Sequence, residues 1–316
     1  MTTAIELQHI SKSFGDTKAV QNLDLEIPQG SMCGFLGPNG AGKSTTIRMI
    51  MSIIHADSGS INVLGTNALN AKDRIGYLPE ERGVYRKMKV CKFIEYIANL
   101  KGMYGPSLRK IIPDWLERIE LPNVENKKCE ELSKGMQQKV QFLAAVIHEP
   151  ELIILDEPFS GLDPVNARVI GKVINDLHKE GRTILFSTHI LYQAEQICDR
   201  IIMIDQGTKV LDGSISSIQE QFDPRVVQVE PVNKSISFDS IEGVEHSTPI
   251  EQSNKVNLRI REDATPTDVL QRVVAYTPVI SAQLARPTLD EIFIEQVVRN
   301  RGADAADAVR MEFENA

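Results

Sequence analysis

The sequence predicts an α/β protein whose main unit is a parallel sheet covered by helices, followed by a smaller α+β unit. The main unit is predicted because short, wholly apolar runs of strand length alternate with segments that carry apolar residues at helical spacing. The second unit is predicted because the pattern changes after Gly213, where half-apolar strands predominate. A chain of 316 residues has the length expected for one large and one small domain.

The first strands are predicted to be antiparallel. Residues 4 to 27 alternate apolar and polar positions around a turn at Gly15 and Asp16, as strands with one solvated face do. A buried strand, Met32 to Leu36, then leads through a glycine-rich turn into a helix predicted from about Lys43 to Ile54. This strand, loop and helix begin the parallel sheet.

A helical insertion is predicted between about Glu81 and Glu131, because the strand signal fades there. Helical spacing covers Val90 to Leu100 and Leu108 to Ile119. The alternation of strand and helix then resumes with a strand at Leu152 to Leu155, a helix at Asn166 to Lys179 and a strand at Thr183 to Ser187. The insertion therefore interrupts a single α/β domain.

The second unit is predicted to begin near Phe222 to Pro224, which divides the chain into residues 1–222, residues 223–300 and a frayed tail at 301–316. Its predicted strands are Arg225 to Glu230, Ser235 to Phe238 and Lys255 to Ile260, and its predicted helices are Thr267 to Tyr276 and Leu289 to Val298.

Composition excludes several classes of protein. The formal charge of −8 disfavours general binding to the nucleic-acid backbone, which depends on clustered Lys and Arg. No apolar run reaches the roughly 20 residues that span a bilayer, and the start of the chain does not resemble a signal peptide. We therefore expect a cytoplasmic protein whose four scattered cysteines are reduced and mostly structural.

One loop has the pattern G-x-x-x-x-G-K-[ST] and lies between a buried strand and a helix, as a phosphate-binding loop must. Backbone N–H groups of such a loop converge on the phosphates of ATP. We expect Lys43 to reach the β and γ phosphates and Ser44 to ligate Mg²⁺. The alternative, a glycine-rich turn that binds nothing, does not account for the matching flanks. The predicted ATP-binding residues of the loop are Gly37, Pro38, Asn39, Gly40, Ala41, Gly42, Lys43, Ser44 and Thr45.

Two adjacent acids end the apolar strand at Leu152 to Leu155. Buried carboxylates are costly unless a cation or a reaction needs them. Asp156 is predicted to hold Mg²⁺, as the Walker B acid does, and Glu157 is predicted to act as general base toward the attacking water. The alternative is a strand end with ordinary surface acids.

Three further segments follow in a fixed order, and together with the loop and the acids they resemble ABC ATPases. Leu132 to Lys139 resembles the signature motif, Ser160 to Asp163 the D-loop, and Ser187 to His189 the switch-histidine segment. The resemblance implies that two copies sandwich two ATP molecules head to tail. Ser133 and Gly135 of one subunit would then complete the site of the other, so a second ATPase subunit, most simply an identical one, is expected.

The resemblance also suggests roles for single residues. His189 would contact the γ-phosphate as a catalytic residue, Asp163 would link the two sites, and Phe14 would stack on adenine. The residues themselves leave alternatives open: Ser133 as a helix cap, His189 as a structural histidine and Phe14 as a core aromatic. Glu80 stands where most members of the family carry a glutamine, and it is a predicted Mg²⁺ ligand.

The signature departs from the usual pattern as well, with Lys134 and Met136 where glycine and glutamine are common. Backbone donation survives such changes, whereas the side-chain contribution of the glutamine is lost.

Residues 80 to 83 and the segment Pro287 to Phe293 are similar to those of ATPases that serve separate ABC-2 type export permeases. This implies an integral membrane permease as partner, a place on the inner face of the membrane and an export function. Val84 and Tyr85 are candidates for the docking surface, although internal packing is an equal alternative.

Two other functions remain as alternatives to transport. A soluble ABC ATPase acting on ribosomes or DNA usually has two cassettes, long insertions or zinc-binding cysteines, which this sequence lacks. A regulator that only binds nucleotide has no need of Glu157 beside the Mg²⁺ ligand.

Overall fold

The computed structural model describes residues 2–81, 83–222, 225–233, 236–250 and 253–302. It divides the chain into two compact units, the first ending at Ile215 and the second beginning at Ser216. The predicted boundary at Phe222 to Pro224 is later than this division and lies partly outside the described residues. Most of the predicted tail, from residue 303 onward, also lies outside them.

The first unit contains an antiparallel sheet and a mostly parallel sheet. Its strands are β1 (Thr3–Phe14), β2 (Thr17–Pro28), β3 (Met32–Leu36), β4 (Ser58–Val63), β5 (Ile75–Leu78), β6 (Leu152–Asp156), β7 (Thr183–Thr188), β8 (Arg200–Asp205) and β9 (Thr208–Ser214). Its helices are α1 (Lys43–Ile50), α2 (Val90–Leu100), α3 (Pro106–Arg118), α4 (Lys134–Val146), α5 (Pro164–Lys179) and α6 (Leu191–Ile197), and α7 (Ile215–Glu220) follows at the division.

The antiparallel sheet has the order β2-β1-β4. The hairpin predicted around Gly15 is confirmed, and Phe14 pairs with Thr17 at its tip. Strand β4 was not predicted, because the polar residues at its start give no strand signal. Val63 is the only buried residue of β4.

The second sheet has the order β5-β6-β7-β3-β8-β9, and its strands are parallel except for β9. Every residue of β3, β6 and β7 is buried, as expected for a sheet covered on both faces. The predicted parallel sheet is therefore confirmed. Since parallel strands end at one edge, the residues that follow β3, β6 and β7 are brought together there.

Helix α1 is shorter than predicted. It ends at Ile50 rather than near Ile54, because Ser52 adopts a left-handed backbone conformation with a φ of 55° that ends the helix. The two helices of the predicted insertion, α2 and α3, are confirmed within one or two residues.

In its described residues, the second unit forms, after α7, a four-stranded antiparallel sheet with two helices. Its elements are β10 (Val226–Pro231), β11 (Val244–Pro249), β12 (Val256–Ile260), α8 (Pro266–Tyr276), β13 (Val279–Ala285) and α9 (Leu289–Arg301). The strand order is β11-β12-β10-β13, and Val269 and Val273 of α8 pack into the same core as Val227 and Val229 of β10.

One predicted strand in this unit is wrong. Residues 236–238 form no strand, and Ser235 lies outside the described residues. Phe238 is buried in the core from an irregular segment, so its apolar alternation reflected packing rather than pairing. The strand that pairs with β12 is β11, whose mostly polar residues carry no apolar alternation.

Within the described ranges, no helix has the length and apolar character needed to cross a membrane. All four cysteines are free thiols. Cys33, Cys129 and Cys198 are buried, whereas Cys91 on α2 is partly accessible. Burial raises the pKa of the Cys33 and Cys198 thiols well above the usual range.

Candidate active site

The loop between β3 and α1 has a backbone that only glycine can supply at one key position. Gly42 has a φ of 104°, and a Cβ added to it would lie 2.4 Å from the carbonyl oxygen of Ala19. Gly42 directly precedes Lys43, the first residue of α1, so the N-terminus of the helix lies at this loop. The loop has the geometry of an anion cradle.

Lys43 places a cation inside this cradle. Its side chain is only 6% exposed, and Nζ donates to the carbonyl oxygens of Gly37 at 2.6 Å and Pro38 at 3.1 Å. Its ammonium also lies 4.0 Å from Oε1 of Glu157. A buried cation beside helix N–H groups makes this loop strongly attractive to phosphate.

Asp156 lies at the end of β6 and is almost fully buried. Its Oδ1 accepts hydrogen bonds from Ser187 Oγ at 2.5 Å and from Ser44 Oγ at 3.4 Å. Burial raises the pKa of this carboxyl, although the two hydroxyl donors oppose the shift. The hydroxyl donors therefore do not fully offset the cost of burying the ionised carboxylate, and a bound cation would offset the rest.

These residues fit Mg²⁺. Ser44 and Asp156 offer the hard oxygen ligands that the ion prefers. No cluster of three or more His, Cys, Asp or Glu in the described part of the chain could hold a metal alone. Such a site suits an ion that takes its other ligands from water and from the phosphates of a nucleotide.

Glu157 follows Asp156 with an unusual backbone. Its φ is 50°, in the left-handed region, and its N–H donates to the carbonyl oxygen and to Oγ of Ser187, each at 3.2 Å. Its Oε1 lies 2.8 Å from Nδ1 of His189, which follows β7. The carboxylate and the imidazole therefore form a hydrogen-bonded pair beside the phosphate-binding loop.

Lys43, Ser44 and Glu157 line one cavity of about 230 Å³, together with Glu80. Its remaining lining residues are Thr17, Lys18, Ala19, Asn39, Gly40, Gly42 and Thr45. The sequence motifs did not indicate Thr17 to Ala19, because residues of a hairpin far away in sequence carry no motif of their own. The sequence also did not indicate that Ser187 donates to Asp156, although its place near the end of β7, the strand beside β6, could have suggested it.

Phe14 is not part of the cavity lining. Its ring is 53% exposed at the end of β1, with Nζ of Lys12 5.4 Å from the ring centroid. The alternative of a core aromatic therefore does not fit, and the predicted stacking on adenine stays a prediction.

The signature and D-loop residues are also absent from this lining. Ser133 caps α4, its Oγ accepting from the N–H of Met136 at 3.3 Å. Asp163 caps α5 by accepting from the N–H groups of Val165 and Asn166, and these bonds lower the pKa of its carboxyl. A Cβ at Gly135 would lie 3.3 Å from Nδ2 of Asn166, so the two segments are neighbours.

Comparison with known proteins covers both units. The family model for ABC transporters matches residues 20–160, and the model for the C-terminal domain of DrrA1-3-like ATP-binding proteins matches residues 213–297. A solved structure of an ATP-binding subunit of an ABC transporter superposes with a TM-score of 0.65 and 29% identity. That match covers 70% of this chain and 93% of the solved chain.

Two curated relatives extend this result. The uncharacterized ABC transporter ATP-binding protein YhaQ of Bacillus subtilis (strain 168) is 41% identical over 93% of this chain and 98% of its own length. The Nod factor export ATP-binding protein I of Sinorhizobium fredii (strain NBRC 101917 / NGR234) is 36% identical over 72% of this chain and 67% of its own length.

The fold and the site define a P-loop ATPase cassette. The chain belongs to the ABC transporter ATP-binding proteins, in the group that carries a DrrA1-3-like C-terminal domain. It is therefore a nucleotide-binding, transport-coupled ATPase. The alternative of a non-transport ABC ATPase has no support among its relatives.

Proposed function

We propose that the chain hydrolyses ATP with Glu157 as general base and so drives a separate ABC-2 type export permease. The observation that carries the catalytic proposal is the position of the Glu157 carboxylate at the cavity wall, 2.8 Å from His189 and 4.0 Å from the ammonium of Lys43. A carboxylate in this place is within reach of a water beside the terminal phosphate.

The surrounding residues divide the remaining work. Lys43 neutralises phosphate charge, and Ser44 and Asp156 would hold Mg²⁺, with Glu80 as a further oxygen ligand on the cavity wall. The ion, when bound, supplies charge neutralisation at the phosphates. Glu157 takes the proton of the attacking water, and His189 holds that carboxylate in position. His189 is not part of the cavity lining, and its contact with the γ-phosphate is part of this proposal.

Ser133, Gly135 and Asp163 are proposed to act across a head-to-tail homodimer. Support comes from the family and from the positions of these residues. Ser133 and Asp163 cap the N-termini of α4 and α5, and all three residues lie outside the cavity lining of their own chain. The N-terminus of α4 offers N–H groups suited to a phosphate that a second subunit binds. Phe14, exposed at its hairpin tip, is free to stack on adenine.

The permease is proposed to dock on an aromatic surface of the helical insertion, formed by the exposed side chains of Tyr85 and Tyr96, with Tyr85 packed on the buried ring of Phe93. Tyr85 is 53% exposed and meets Phe93 and Tyr96 edge to face, with centroids 6.0 Å and 5.6 Å apart. Exposed aromatic clusters are typical of protein interfaces. Docking would hold the ATPase at the inner face of the membrane. The export direction is supported by relatives named for export, such as the Nod factor protein.

The catalytic proposal is tested with Glu157→Gln. We expect ATP turnover to fall at least about a hundredfold, because the base is lost, while ATP binding persists and ATP-dependent dimers accumulate. Turnover and binding are measured separately, by phosphate release and by titration with a fluorescent ATP analogue. Unchanged phosphate release would remove Glu157 from the role of base.

The docking proposal is tested with Val84→Glu combined with Tyr85→Glu. We expect the purified ATPase to keep its basal turnover but to lose co-purification with a multispan membrane protein. Loss of turnover as well would indicate misfolding, and retained co-purification would exclude this surface as the contact.

A further inference from the structure

The residue that follows Glu157 is tied to the signature helix. Nε2 of Gln138, on α4, donates a 2.7 Å hydrogen bond to the carbonyl oxygen of Pro158. Gln138 is only 6% exposed, so water does not compete for this bond. It joins two segments that lie 20 positions apart in the sequence.

The bond is made where the backbone needs support. Glu157 adopts a left-handed conformation that non-glycine residues avoid. Such a conformation persists only where the surroundings determine it. The N–H of Glu157 donates to Ser187, and its carbonyl oxygen accepts from the N–H of Ser160. The hydrogen bond from Gln138 to the carbonyl oxygen of Pro158 holds the peptide group that follows.

The oxygen of the Gln138 carboxamide, unlike its nitrogen, makes no hydrogen bond to the described residues. Oε1 of Gln138 is buried and has no hydrogen-bond partner among the described residues. An unsatisfied buried oxygen costs free energy, which an apolar residue of similar size would avoid. The amide is thus placed for its N–H donor alone.

We infer that Gln138 is a positioning residue, which keeps the carboxylate of Glu157 in register with the cavity and couples it to movement of α4. This inference rests on the proposed role of Glu157 as general base. Gln138 lies one helical turn after Gly135, at the start of the same helix. A phosphate bound at that helix start by the second subunit would therefore act on the base of this subunit through one side chain.

The test compares Gln138→Met with Gln141→Met in the full-length chain. Methionine keeps the length of the side chain and removes the donor. Gln141 is the matched control, because it is also buried on α4 but donates to the carbonyl oxygen of Glu81, at 3.4 Å, instead of to Pro158. We expect Gln138→Met to lower kcat about tenfold or more with KM for ATP unchanged, and Gln141→Met to leave kcat unchanged. Equal kcat values for the two variants would overturn the inference.

A second variant, Gln138→Glu, makes the hydrogen bond to Pro158 dependent on pH. Its carboxylate repels the Pro158 carbonyl, whereas its protonated form can donate to it. Relative to the natural chain, kcat of this variant should therefore recover as the pH falls from about 8 to 6, since burial raises the pKa of a carboxyl. A constant ratio across this range would contradict the positioning role.

Failure of this inference is distinguishable from failure of the proposed function. If Glu157→Gln loses turnover while Gln138→Met keeps it, only the role of Gln138 is wrong. If Glu157→Gln keeps turnover, the base is another group and the positioning role falls with it.

Discussion

The two units bury different kinds of residue. Among the described residues, every charged side chain that is almost wholly buried lies in the first unit: Lys43, Lys139, Asp156, Glu157 and Asp205. The core of the second unit is built from aliphatic and aromatic side chains, with Thr277 as its buried polar residue in the described ranges. Because burying a charge costs stability, such residues are kept mainly where a function needs them, and the contrast therefore places the chemistry in the first unit.

The largest effect is expected from a methyl group added to a glycine in each unit. Gly42→Ala would place a Cβ 2.4 Å from Ala19 O and should reduce ATP affinity at least about a hundredfold, because the cradle must open. In the second unit, Gly243→Ala would place a Cβ 2.8 Å from Val269 and should destabilise that unit while ATP affinity is kept. Titration with ATP and limited proteolysis measure the two effects. Equal loss of ATP affinity in both variants would contradict the assignment of ATP binding to the first unit.

The next effect concerns the stability cost of the buried acid. Burial raises the pKa of the Asp156 carboxyl, so its ionised form destabilises the fold at pH values above the unfolded-state pKa, and this cost disappears as the pH falls. Asp156→Asn should therefore abolish turnover and yet raise the free energy of unfolding by about 1 kcal/mol at neutral pH. Urea unfolding without nucleotide measures the gain. A large loss of stability instead would show that the carboxylate is structural.

The third effect is on stability and depends on pH. Burial, with Lys101 nearby, lowers the pKa of His148 to about 4, from an ordinary value of 6.5. The unfolded chain then binds a proton that the folded chain rejects, so stability is full above pH 6.5 and falls as the pH drops toward 4. Between pH 8 and pH 5 the natural chain should lose about 1 to 2 kcal/mol more free energy of unfolding than the His148→Gln variant. Urea unfolding of the natural chain and of the variant at the two pH values measures the difference, and an equal loss of stability in both proteins would contradict this role of His148.

The smallest effect tests the second unit alone. Thr288 caps α9 in a capping box, its Oγ1 accepting from the N–H of Glu291 while that glutamate accepts from the N–H of Thr288. Thr288→Ala should cost about 1 kcal/mol of stability in the second unit and leave kcat for ATP hydrolysis unchanged. Differential hydrogen exchange along α9 is the measurement. A fall in kcat would show that the second unit contributes to the reaction.

Much of the first unit was predictable because its motifs carry their own context. The G-x-x-x-x-G-K-[ST] pattern follows a buried strand and opens a helix, and Asp156 ends another buried strand, so both sheet position and chemistry are visible in the sequence. Strand β11 was not predictable in this way. Its residues are mostly polar, and only pairing with β12 makes it a strand.

The site was predictable only where the residues are local in sequence. Ser187 and Thr17 reach the cavity or its acids through the register of two sheets, which a motif does not encode. The left-handed backbone of Glu157 and the bond from Gln138 to Pro158 are likewise results of tertiary packing. The proposed reacting groups are therefore visible as motifs in the sequence, whereas the groups that hold them in place are not.

The distribution of thiols has a practical consequence for spectroscopy. Of the four cysteines, only Cys91 is accessible enough for a maleimide dye, because the other three are buried. A fluorophore would therefore attach to α2 of the natural chain without any engineered cysteine. Its emission would report, in real time during a catalytic cycle, how the helical insertion moves after ATP is added and after phosphate leaves.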